Sequence, residues 1–229
     1  MKQRLQAVPA ERMHLWLMLV LTFTTGINDA VGYLGLDKVF TGNMTGNVVI
    51  LGMALVGAPD LPVVGPALAL AGFMAGAAVA GRVLRHGTRN WHGRTTVVFG
   101  SVAAIMFALA AVVFAVGDEP SAPIRITVTT LAAVAMGLQA ATARVIAVKD
   151  VTTVVVTSTI TGLAADSVFG SGKGAGSARR AVAVVAILAG AATGAALLDL
   201  HLGWGFVLAG VLIALATYVG DVHDRAVGT

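Results

Sequence analysis

The chain has 229 residues, 57% hydrophobic and only 11% charged, with a mean hydropathy of +0.88; a soluble domain carries about 25% charged residues, so a water-facing surface is excluded and the chain is an integral membrane protein. The net charge of +4 and isoelectric point near 10.0 do not signal nucleic acid, because the basic residues sit in short loops between apolar runs, where they set orientation. There are no cysteines, which excludes disulfides and thiolate metal sites.

Residues 1–26 have a basic start and an apolar core from Leu15. No small-x-small cleavage site follows, so the segment is expected to remain as a first span over 15–36 rather than a removed leader. That span carries Asn28 and Asp29. A carboxylate inside a span costs about 2.5–3.5 kcal/mol on insertion scales, and such groups usually face the bundle interior and serve ion or proton pathways. Asp29 is therefore a candidate proton-coupling group; the plainer reading is that it braces the next element.

Next comes Thr41-Gly-Asn-Met-Thr-Gly-Asn47, small, polar and glycine-bearing, then an apolar segment to residue 56. A helix over 44–56 would be about 20 Å long, against a hydrocarbon core of about 30 Å. Charge-free runs over 62–81 and 95–117 are long enough to span, and the loop 82–94 between them holds Arg82, Arg85, Arg89 and Arg94 with no acid. Asp118 and Glu119 follow, then a run over 126–143 with Gln139, Arg144 near its end, and a polar segment over 151–169 that includes Thr157, Thr159, Thr161, Gly162 and Asp166. Lys173, Arg179 and Arg180 precede the last two runs, 181–198 and 202–220. All five histidines fall near segment ends and are expected to be interfacial.

By the positive-inside rule the N-terminus, the 82–94 loop and the 170–180 loop are cytoplasmic. The acidic connections at Asp60, Asp118–Glu119 and Asp199 face outside. Two apolar segments lie between Arg12 and Asp60, and two more between Glu119 and Lys173, where an odd number of crossings is needed. One of each pair must dip in and return. The expected fold is all-α: six transmembrane helices and two re-entrant half-helices in a single membrane domain, 1–229. The alternative is eight full membrane segments, since residues 39–59 are also free of charge.

Three spans and one re-entrant element recur in 13–117 and 123–221, and an odd number of spans inverts the second half relative to the first. Leu70-Ala-Gly-Phe-Met-Ala-Gly-Ala-Ala78 matches Leu188-Ala-Gly-Ala-Ala-Thr-Gly-Ala-Ala196; Thr45-Gly46 matches Thr161-Gly162; Gly26-Ile-Asn28 matches Gly137-Leu-Gln139. The small-residue faces Gly72/Gly76 and Gly190/Gly194 permit close helix packing, within the monomer or, alternatively, in a homodimer.

Gly26-Ile-Asn-Asp-Ala-Val-Gly-Tyr-Leu34 and Val39-Phe-Thr-Gly-Asn-Met-Thr-Gly-Asn47 strongly resemble the YoaK family of small bacterial membrane proteins of unknown function. Gly137-Leu-Gln-Ala-Ala141 and Thr157-Ser-Thr-Ile-Thr-Gly162 are similar to that family's second pair of motifs, with Ala140 where the family tends to have Asn. The resemblance covers nearly the whole chain. It implies a bacterial inner-membrane protein and brings no substrate with it.

Two re-entrant half-helices in inverted halves would bring their N-termini together near the midplane, each with free N–H groups and partial positive charge. Asn43 or Thr45, and Thr157 or Ser158, are candidate caps. The candidate binding residues are thus Asn28, Asp29, Thr41, Asn43, Thr45, Gly46 and Asn47 from the first half, and Gln139, Thr157, Thr159, Thr161 and Gly162 from the second. The expected function is a small secondary transporter or channel for a small polar or anionic solute; the competing reading is a non-transporting scaffold. No metalloprotease, serine-hydrolase or cysteine-nucleophile signature is present, so enzymatic activity, a cofactor and a metal are not expected. Both termini are expected in the cytoplasm.

Overall fold

In a computed structural model the described residues are 8–86, 90–146, 156–167, 170–172 and 176–227. The expectations placed on Arg89, on Lys173, on the basic start of the chain and on the first part of the 151–169 segment fall outside them. The described chain forms eight α-helices: α1 Ala10–Ala30, α2 Met44–Leu55, α3 Val64–Leu84, α4 Gly93–Val116, α5 Ala122–Ile146, α6 Val156–Ala165, α7 Ser177–Leu198 and α8 Leu202–Val227. Helix is what an apolar, nearly charge-free run must form in lipid, because it satisfies every backbone group within the segment.

Six of the helices are long and apolar enough to cross a membrane. The first of these includes a π-helical continuation of α1, Val31–Asp37, and so runs Ala10–Asp37. Lys38 ends it in the left-handed conformation, φ 53°, and the chain turns back on itself. A Cβ at Gly32 would lie 2.5 Å from the Val39 carbonyl oxygen, so that return path exists only because residue 32 is glycine. The other two helices, α2 and α6, have 12 and 10 residues. At 1.5 Å per residue they reach about 18 and 15 Å, short of a hydrocarbon core of about 30 Å.

The core lies where α1, α4, α5 and α8 meet, around the fully buried Phe99, Met106, Met136, Phe206 and Ile213. Helices α3 and α7 lie at the periphery and expose Met74, Val79, Val185 and Leu188, apolar side chains suited to hydrocarbon. The helix pairings repeat. Helix α1 packs on α7 as α5 packs on α3, α1 on α8 as α5 on α4, and α2 on α3 as α6 on α7, while α4 and α8 pack on each other.

Two close crossings hold this arrangement. A Cβ at Gly190 would run into the Phe23 carbonyl, and one at Gly26 into the backbone of Ile187 and Ala191. On the other side a Cβ at Gly76 would meet the Val134 carbonyl, and one at Gly137 the backbone of Phe73 and Ala77. Gly76 thus occupies the place of Gly190. The sequence match paired Gly190 with Gly72, one helical turn away; a face made of Ala and Gly matches itself in either register. Gly72 and Gly194 are also buried, against Thr130 and Ile27. The Gly-xxx-Gly faces are consumed within the chain and are not free to seat a second copy.

Candidate functional site

The site begins with residues 38–43, the non-helical link between α1 and α2. Irregular backbone in an apolar medium must find hydrogen-bond partners inside the protein. Asp29 supplies them. Its Oδ1 accepts the backbone N–H groups of Thr41 at 2.9 Å, Gly42 at 2.7 Å and Asn43 at 3.3 Å. Asn47 does the same for Phe40, accepting its N–H at Oδ1 (2.9 Å) and donating Nδ2 to its carbonyl (2.6 Å). Asn43 Oδ1 accepts the Gly46 N–H at 3.2 Å and so caps α2. The Phe40 ring stacks on Tyr33 with centroids 4.8 Å apart. A Cβ at Gly46 would lie 2.6 Å from the Phe40 ring, so the second glycine of the motif makes room for this stack.

These contacts change one expectation. The N–H groups just ahead of α2 do not stand free for an anionic solute. Those of residues 41–43 already hold the Asp29 carboxylate, and that of Gly46 holds Asn43.

Beneath the link, α1 and α5 meet through polar side chains. Asn28 Nδ2 reaches Met136 Sδ at 3.5 Å. Gln139 Nε2 donates to Thr25 Oγ1 at 3.2 Å and to the Leu21 carbonyl at 3.3 Å. Asn28, Thr41 and Gln139 are fully buried.

In the second half, Thr157 lies within α6 rather than ahead of it, and its carbonyl accepts the exposed Thr161 hydroxyl at 2.9 Å. Thr159 is buried. Gly162 is covered by a residue that sequence reasoning counted only as orientation charge: Arg180 donates Nη1 to the Gly162 carbonyl at 3.0 Å and pairs with Asp166 at 2.6 Å. Its side chain is only 15% exposed. Nothing local in the sequence separates Arg180 from Arg179; the distinction comes from which of them faces α6.

A cleft of about 390 Å³ joins the two polar elements. Asn43, Thr45 and Gly46 line it from the first and Thr157 from the second, with Tyr33, Phe40, Val49 and Ile50 as its apolar wall. Asn28, Asp29, Thr41, Asn47 and Gln139 do not line it; they lie beneath the link or bind its backbone. Thr159, Thr161 and Gly162 belong to the rest of α6. Among the described residues no three His, Cys, Asp or Glu side chains gather to hold a metal ion.

Comparison with known proteins agrees with the motifs. A family model described as "Protein of unknown function (DUF1275)" matches residues 17–219. The chain is 32% identical over 151 residues to the UPF0700 transmembrane protein YoaK of Bacillus subtilis (strain 168), covering 66% of this chain and 65% of that protein. No solved structure matches. With its six long apolar helices and a family match that includes both polar elements, the chain is a membrane protein that belongs to the DUF1275 family.

Proposed function

We propose that the chain is a small, non-enzymatic secondary transporter or channel whose polar solute binds in the cleft between the start of α2 and Thr157. The observation that carries this reading is the cleft itself, because it unites polar groups from both short helices. In this reading α2 and α6 are re-entrant, and helices α1–α4 and α5–α8 form inverted halves. The exchangeable pairing of the helices and the matched crossings at Gly76 and Gly190 support that. By the positive-inside rule the basic loops favour a reading with both termini on the cytoplasmic side of a bacterial inner membrane. The solute meets the amide of Asn43 and the hydroxyls of Thr45 and Thr157, neutral groups that suit a small polar molecule.

Asp29 anchors α2 in this scheme. A proton-coupled cycle would require it to release three N–H groups; flux driven by a pH gradient, and lost in a folded Asp29→Asn variant, is the measurement that would give it that role. The scaffold reading draws support from the same contacts, since Asp29 and Asn47 are both spent on backbone.

The test is a solute screen by thermal shift or native mass spectrometry, followed by flux in proteoliposomes. Thr45→Val with Thr157→Val removes two hydroxyls and should lower flux of the identified solute about tenfold. Stability should stay within about 0.5 kcal/mol, as for surface changes generally. Unchanged flux in the double variant would remove the cleft assignment, and a folded protein that moves no solute would favour the scaffold.

A further inference from the structure

Two amide oxygens in the core, Asn28 Oδ1 and Gln139 Oε1, accept no hydrogen bond among the described residues, and the Thr41 hydroxyl, whose donor side faces the Asp29 carboxylate, accepts none either; each is on a residue with no exposed surface. They come from three elements that meet in one place. Asn28 reaches Met136 and Gln139 reaches Thr25. A Cβ at Gly42 would lie 2.9 Å from Thr25 Cγ2 and 3.5 Å from both Met136 Cε and Asp29 Oδ1. Link, α1 and α5 therefore meet at a cluster that includes Thr25, Asp29 and Met136.

Packing alone does not account for the pattern. Two amides facing each other across a helix crossing can satisfy both by exchanging N–H and C=O. Here both amide nitrogens are directed at the opposite helix and both oxygens are left over. A buried acceptor without a partner is destabilising, so three together call for an occupant. The two amide oxygens can only accept, and the one hydroxyl turns its donor to the Asp29 carboxylate, which leaves nothing to hold an anion. The Asp29 carboxylate lies beside them and is held by backbone N–H groups, with no cationic side chain bonded to it among the described residues. One buried negative charge and neutral oxygens suit one positive charge; divalent ions are usually held by more than one carboxylate.

We propose that this cluster is a site for one small monovalent cation, an alkali ion or ammonium, held by Asn28 Oδ1, Gln139 Oε1 and Thr41 Oγ1 beside Asp29. The site is separate from the solute cleft and does not rest on the transport reading.

The experiment uses the full-length protein in detergent. Thermal unfolding and titration calorimetry are run with sodium, potassium and ammonium chloride against N-methyl-D-glucamine chloride at constant ionic strength. At least one of the three small ions should give a saturable rise in melting temperature, and the large organic cation none; which ion responds separates alkali metal from ammonium. Thr41→Val exchanges one hydroxyl for a methyl group and should weaken the apparent affinity about tenfold, as should Gln139→Met. Thr193→Val is the control, since its hydroxyl is on the exposed face of α7 and bonded to the Ala189 carbonyl. Should Gln139→Met fail to fold, Thr41→Val decides alone. An equal response to all four salts, or a saturable response that both variants retain, would overturn the site. Either result leaves the cleft to be judged by its own flux measurement.

Discussion

Asp29 and Asn47 show how much one side chain can do for irregular backbone in an apolar surrounding. One carboxylate oxygen takes three N–H groups, and one amide takes both polar groups of Phe40. Removing the carboxylate would strand those donors where water does not reach. Asp29→Ala is expected to destabilise the protein by about 3 kcal/mol or more, since a single unsatisfied buried group costs about 1–3. Asp29→Asn keeps an accepting oxygen and should cost less. Denaturation of both variants in detergent checks the order; equal losses would mean that charge, and not acceptance, holds the link. The sequence made Asp29, Asn43 and Asn47 conspicuous, because polar residues in an apolar run are expensive. It did not show their partners. Phe40 lies seven residues from Asn47 and the 41–43 amides twelve to fourteen from Asp29, distances that no helical or strand period links.

At the scale of the element, glycine position separates packing from mere composition. Gly190 and Gly76 sit against backbone carbonyls, whereas a Cβ at Gly100 in α4 would meet nothing within 4 Å. Gly190→Ala must push α7 away from α1 and is expected to destabilise by about 1–3 kcal/mol, as overpacking does. Gly100→Ala should stabilise by up to about 1 kcal/mol through helix propensity. Melting temperatures that move in opposite directions would bear this out; the same direction for both would mean that the α1–α7 crossing is looser than described. The spans themselves were legible as charge-free runs, since lipid imposes length and apolarity segment by segment. Their ends were less so. The first starts at Ala10 rather than at 15, and it closes as a π-helix at Asp37, one residue past the expected 36.

For the whole molecule, orientation is the property most open to measurement. The chain lacks cysteine, so single cysteines at Arg85 and Asp118 can be labelled from each side. Six crossings with both termini inside require Arg85→Cys to react from the cytoplasm and Asp118→Cys from outside; the reverse would sink the topology. By itself the sequence determined the membrane class, six long apolar runs and the family, and left two shorter segments between dipping and crossing. The class and the runs follow from local composition against a solvent of set thickness; the family follows from its motifs. Only the tertiary structure decided that α1 pairs with α7 and α5 with α3, one turn from the apparent sequence match. It also decided that Asp29 closes the N–H groups expected to meet an anion, that Arg180 covers Gly162, and that Asn28 and Gln139 cross with their oxygens unfilled. Those outcomes depend on which element lies beside which, and residues from twelve to more than a hundred positions apart carry no local mark of becoming neighbours.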